Sequence, residues 1–287
     1  MKTTKVYDAA DGSATPGRVF TASIPQESIP NDGQELSYMR MGVRGTVSTS
    51  AVVIETFAGL INPFTFRFGG ENRIILNLQE LCALHAFYYQ NEKLVIAENT
   101  DATGSDIING IKIPVYQKSD PTRQFLVQAD RTAQTNITVE TVALTAYWDT
   151  MEKDRKAIHA VRVAHTSAGS AGLETLGFRI VPQGKMIGLI ISEPNGFDDT
   201  NIDTSVQRVN LLIEGAAAFH LNDMADAVPL AYYDYVGPAA IGDLLRPFRA
   251  YDFRNAGIDV KSKQVTIQLD VQDVSDALVI IPIIEVE

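Results

Sequence analysis

The side chains able to do chemistry are few and scattered. Four histidines, His85, His159, His165 and His220, serve a chain of 287 residues. A catalytic metal centre needs three or four convergent ligands with one position left open for substrate. No two of these histidines form a His-x-His pair, and His159 and His165 stand on either side of an expected strand end. Cys82 is the single cysteine, which excludes an internal disulfide and any multi-cysteine metal site within one chain. Its neighbours Leu81 and Leu84 make it read as inert core, not as a nucleophile. The run Ser167-Ala168-Gly169-Ser170-Ala171-Gly172 lacks the Gly-x-Ser-x-Gly of a nucleophile elbow and reads as a loop. Gly69-Gly70 opens no phosphate-binding loop. Asp198, Asp199 and Asp203, with Asn201 among them, form an oxygen-rich cluster that is a calcium candidate. It lacks the spacing, glycine and closing glutamate of an EF-hand, so an acidic loop is the competing reading. The expectation is a chain with no catalytic and no cofactor-binding residues.

Composition narrows the class further. Hydrophobic residues make up 45% and charged residues 21%, as in a well-packed globular protein. A net charge of −11 argues against wrapping nucleic acid, which takes clustered Lys and Arg. No apolar run approaches the ~20 residues that cross a bilayer. The first residues lack the apolar stretch of a signal peptide, so synthesis in a cytoplasm is expected.

The elements that would position any site are mostly strands. Val265, Ile267, Leu269 and Val271 alternate with Thr266, Gln268 and Asp270, the period of a half-buried strand. Val142, Leu144, Ala146 and Trp148 repeat that period. Further strands are expected over 18–24, 36–47, 50–57, 62–69, 111–117 and 124–129. In the second half they fall at 158–165, 173–181, 185–192, 206–214 and 246–253, and in the closing run LVIIPIIEV. Many short strands divided by Gly, Pro, Asn and Asp turns predict a sandwich or barrel.

One segment occurs twice. A single shift of 145 residues (215 − 70) lays Gly70, Leu76, Asn77, Ala86 and Tyr88 on Gly215, Leu221, Asn222, Ala231 and Tyr233. The texture on either side repeats too, which predicts two copies of one domain. In the first copy Leu76, Leu78, Leu81, Leu84 and Phe87 stand two or three residues apart, compatible with a helix of about three turns, with Asn77 as N-cap and Glu80 in capping-box position. In the second, Asn222 or Asp223 would cap a helix over 224–228 that Pro229 ends or kinks. The fold class expected is all-β, two tandem antiparallel β-sandwiches, each with a short helix after its early strands. The expected division is a polar N-terminal arm over 1–17, ordered on assembly, then a first sandwich over 18–150. A charged connector follows over 151–157, and a second sandwich over 158–287.

The segments RFGGENRIILNLQELCALHAFYY (67–89) and LLIEGAAAFHLNDMADAVPLAYYDY (211–235) carry a resemblance. In each a strand runs through a glycine turn toward a short helix, within a chain of two sandwiches and no catalytic set. This resembles the double jelly-roll major capsid proteins of tailless icosahedral viruses, the adenovirus-like lineage that includes bacterial viruses with an internal membrane. The sequence departs from the larger members in having no room for long tower loops; any decoration would fall in 90–110 and 193–205. The resemblance implies a structural protein, not an enzyme, whose homotrimers form near-hexagonal tiles of a shell and so reside in the virion. It implies neighbouring trimers and penton or minor capsid proteins as partners. An internal membrane is a further partner, reached through Lys2 and Lys5 of the arm. Two rivals remain. A carbohydrate- or receptor-binding tandem sandwich, spike- or adhesin-like, would use Tyr88, Tyr89, Tyr232, Tyr233 and Tyr235 in an exposed groove. A cupin-type metalloenzyme would need the histidine pattern that the chain lacks.

Overall fold

A computed structural model of the chain describes residues 2–10, 19–31, 33–47, 63–90, 92, 94–96, 105–130, 137–152, 155–166, 172–179, 184–192, 206–221, 228–229, 245, 247–255, 257–271 and 277–286. Two compact units divide the chain: the first takes Met1–Ile158 and Tyr233–Leu245, the second His159–Tyr232 and Arg246–Glu287. The first unit contains β1 (Lys2–Ala10), β2 (Val19–Ser23), β3 (Gln34–Val47), β4 (Phe64–Phe68) and β5 (Glu71–Leu76). Helix α1 (Leu78–Tyr88) follows, then β6 (Val95–Ile96), β7 (Ser105–Lys118), β8 (Phe125–Asp130) and β9 (Ile137–Thr150). One of its sheets has the order β1-β9-β3-β7-β6, and the other runs β5-β4-β8-β2. Among the described residues the strands of both sheets pair antiparallel.

The second unit contains β10 (Ala157–Val161), β11 (Val163–Thr166), β12 (Gly172–Arg179), β13 (Gly184–Ser192), β14 (Val206–Ile213) and β15 (Ala216–Leu221). Then come β16 (Val228–Pro229), β17 (Phe248–Asp252), β18 (Ile258–Asp259), β19 (Gln264–Val271) and β20 (Ala277–Val286). Its sheets run β16-β17-β13-β20-β10, with β11 also on β20 and β18 on β13, and β12-β19-β14-β15. Setting aside the short β6, β16 and β18, and counting β10 with β11 as one, each unit carries the same plan. The first, eighth, third and sixth strands form one sheet; the second, seventh, fourth and fifth form the other. This is the jelly-roll order, and both units have it.

Alternation explains the cores. On β3 and β9, Met39, Met41, Leu144, Ala146 and Trp148 point inward and are fully buried, while Arg40 is exposed and Thr145 half-buried. Trp148 meets Phe125 of the opposite sheet edge-on, with ring centroids 5.6 Å apart. In the second unit Leu189, Leu211, Ile267 and Ile280 belong to one buried cluster. The run LVIIPIIEV is a strand buried on both faces, as its unbroken apolar character predicts: Ile280, Ile281, Ile283 and Ile284 are all fully buried.

The doubled segment lands on a shared hairpin. Gly69 and Gly70 join β4 to β5 with φ of 62° and 88°, and Glu214 and Gly215 join β14 to β15 with φ of 53° and 76°. Two positive φ values in a two-residue loop are the requirement of the hairpin turn that matches strand twist. The shift of 145 carries β5 onto β15 residue for residue. A Cβ at Gly70 or Gly215 would meet nothing within 4 Å, so those glycines serve conformation and not space. Gly70→Ala and Gly215→Ala should each cost about 1–2 kcal/mol, with asparagine milder at both sites. Urea midpoints of the four variants check this; a neutral Gly215→Ala beside a costly Gly70→Ala would break the equivalence.

Three sequence expectations need revision or fall outside these residues. The arm over 1–17 is a strand over much of its length: β1 pairs with β9 from Lys2↔Trp148 to Ala10↔Thr141, with a register break between Lys5 and Tyr7. Its polar composition misled, because backbone hydrogen bonds hold a strand whatever its side chains, and β9 has a free edge to fill. The second helix was expected over 224–228; Val228 is instead in β16, paired with Ala250, and 224–227 lie outside the described residues. The expected strand over 50–57 lies outside them as well.

Candidate functional site

The first helix is where the sequence concentrates reactive side chains. Asn77 caps it: its side chain accepts the Glu80 N–H at 2.8 Å, and Glu80 accepts the Asn77 N–H at 2.8 Å. A box of this kind contributes about 1 kcal/mol to the helix. The helix packs against β7 and β5, and its residues from Leu81 through Phe87 are all buried. Cys82 is among them, fully buried, and desolvation pushes its thiol far above the ordinary range. It therefore stays protonated and unreactive.

His85 is one turn further along and equally buried. Its Nδ1 accepts the Lys112 backbone N–H at 2.9 Å, and its Nε2 lies 3.1 Å from the Glu92 carbonyl oxygen. The remaining histidines do not join it. His159 is half-buried on β10. His165, on β11, hydrogen-bonds through Nε2 to Glu174 of β12, linking strands of the two sheets of that unit. His220 is on β15. Among the described residues no three His, Cys, Asp or Glu side chains gather as a metal site. Asp198, Asp199, Asn201 and Asp203 lie outside the described residues.

Beside α1 is a cluster that sequence reasoning missed. Tyr38 of β3 stacks on Tyr147 of β9 at 4.5 Å and 15°, and meets Tyr89 edge-on at 6.3 Å. The Lys112 ammonium stands 4.5 Å from the Tyr38 ring centre and 5.0 Å from that of Tyr89, and its Nζ pairs with Glu92 at 2.5 Å. Each cation–aromatic contact adds about 0.5–1 kcal/mol. Tyr88 and Tyr89 are half-buried and face other rings of the protein, Tyr88 that of Tyr116 at 6.4 Å and Tyr89 that of Tyr38. Tyr232, Tyr233 and Tyr235 lie outside the described residues. Burial pushes the Tyr38 and Tyr89 hydroxyls up, keeping both neutral.

A second brace follows. Tyr116 has φ of 48° where β7 bulges against β3, the register slipping between Leu36↔Gln117 and Tyr38↔Pro114. A bulky residue at positive φ is rare and strained. Its ring lies 4.8 Å beneath the Arg155 guanidinium. Arg155, in the charged run after β9, pairs with the buried Glu35 at 3.2 Å and with Glu152 at 2.9 Å. That run is thereby fastened to the first sandwich.

Among the described residues these groups brace the packing beside α1 and at the end of β9. No protein-family model and no curated protein matches the chain. Among solved structures, the major capsid protein P2 from bacteriophage PM2 matches with a TM-score of 0.53 at 12% identity, over 100% of this chain and 98% of that one. The major capsid protein of Sulfolobus Turreted Icosahedral Virus matches with a TM-score of 0.61 at 11% identity, over 96% and 95%. The PBCV-1 virus capsid matches with a TM-score of 0.54 at 9% identity, over 98% and 92%. Chains aligned end to end, both sandwiches included, decide the architecture. The fold is the double jelly roll. Identities this low speak for shape alone, so the double jelly roll is where the comparison ends.

Proposed function

We propose that this chain is a structural major capsid protein, not an enzyme, whose homotrimers tile an icosahedral viral shell. The observation that carries the proposal is the alignment over whole chains with capsid proteins, together with one strand order in both units. Three copies of a doubled sandwich give six similar blocks, a near-hexagonal tile made from one gene. The braces around α1 suit that work, because a tile must keep its shape while its loops meet neighbours. The net charge of −11 keeps a concentrated coat protein soluble before assembly. Its place is the virion after synthesis in host cytoplasm, with neighbouring trimers and penton or minor capsid proteins as partners. Contact of Lys2 and Lys5 with an internal membrane would then come from the end of β1, not from a free arm. Light scattering on the purified protein should give three times the monomer mass. A stable monomer at micromolar concentration counts against the shell, and glycan-array binding by that monomer would favour a receptor-binding sandwich.

A further inference from the structure

Both ring nitrogens of the buried His85 are committed. An N–H donor can only meet a ring nitrogen that holds a lone pair, so Nδ1 is bare opposite Lys112 N–H. The single ring proton then sits on Nε2, which donates to the Glu92 carbonyl. Among the described residues β6 meets β7 at Asn109 and Ile108, and at Lys112 the imidazole takes the amide that a strand would otherwise take. One side chain thus ties the last turn of α1 to the edge of β7 and to the segment after the helix.

The surroundings oppose a second proton. The ring has no exposed surface, and burial is the largest influence holding its proton affinity below the ordinary value. From β7 the Lys112 ammonium opposes the charge, while Glu92 after the helix favours it. Glu71 and Arg73 of β5 pair with each other, Glu80 is held at the helix N-cap, and the Tyr89 ring lies 5.6 Å away. We infer that His85 is an acid-sensitive latch. A proton on Nδ1 removes the lone pair that holds the Lys112 amide, breaks that bond and frees the last turn of α1 from β7. The latch belongs to the single chain and stands apart from the capsid reading.

Hydrogen exchange of peptides covering 78–92 and 105–118, corrected for intrinsic rates, tests it on the whole chain. Below about pH 6.5 the opening equilibrium should rise by up to about tenfold per pH unit, the slope for one proton taken up on opening. His85→Asn puts an oxygen near the place of Nδ1 and cannot titrate, so its corrected exchange should stay flat from pH 7.5 to 5. Equal protection of the native chain at both pH values would overturn the latch, as would an equal acid loss in His85→Asn. If the variant does not fold, 15N-histidine labelling of the native chain decides. A bare Nδ1 and protonated Nε2 at pH 7.5 support the latch; a proton on Nδ1 refutes it.

Discussion

Trp148→Ala should lower the free energy of unfolding by about 3–5 kcal/mol, a large share of the stability of an ordinary domain. Trp148 is fully buried on β9 and reaches across the first sandwich to Phe125 of β8, which in turn lies 5.3 Å from Phe68 of β4. Truncation removes the largest buried side chain and leaves a cavity between two sheets that hydrogen bonding holds apart. Trp148→Phe should cost far less, because the indole N–H has no acceptor among the described residues and its loss forfeits no bond. Urea unfolding followed by circular dichroism measures both, Trp148 being the only tryptophan and so unusable as a probe of its own removal. Equal costs for the two variants would mean that packing volume is not what Trp148 supplies.

Arg155→Ala should be the other severe change, and its cost should depend on pH. Glu35 has 1% of its surface exposed, and Arg155 pairs with it. Burial raises the Glu35 carboxyl above its ordinary value, with Arg155 pulling down and Glu152 and Asp149 pushing up. A carboxyl raised in this way contributes stability in acid and loses it as pH climbs through the shifted value. Without Arg155 the two main influences that favour the charged form are gone, so the loss at neutral pH deepens. The expected cost is about 2–4 kcal/mol at pH 7.5, shrinking toward pH 5 as Glu35 takes up a proton. Glu35→Gln removes the buried charge, so in that background Arg155→Ala should cost under about 1 kcal/mol. A penalty unchanged between pH 5 and pH 7.5 would show that Arg155 acts through its packing on Tyr116 instead.

The strands of period two, such as 36–47 and 265–271, and the Asn77–Glu80 box were all legible, because each is decided within one turn or one strand of chain. The unmatched features all join distant residues. Tyr38 and Tyr147 are paired across neighbouring strands, and Glu35 reaches Arg155 over a separation of 120 residues. No local periodicity records which strands become neighbours, so neither contact had a signal in the sequence. Strand β1 was missed for the same reason, since the edge that needs it belongs to β9.

By itself the sequence determined an acidic, all-β, doubled chain and the place of its repeat, since alternation and glycine spacing follow from backbone geometry over a few residues. It also determined that Cys82 lies in apolar company. Only the tertiary structure decided the rest. The order of strands in each sheet, the hairpin shared at Gly70 and Gly215, and the commitment of both His85 nitrogens come from contacts that form when distant segments pack. The residues whose types could do chemistry are few. Packing turned them into braces: a buried thiol that stays protonated, and an imidazole whose two nitrogens are spent on the backbone.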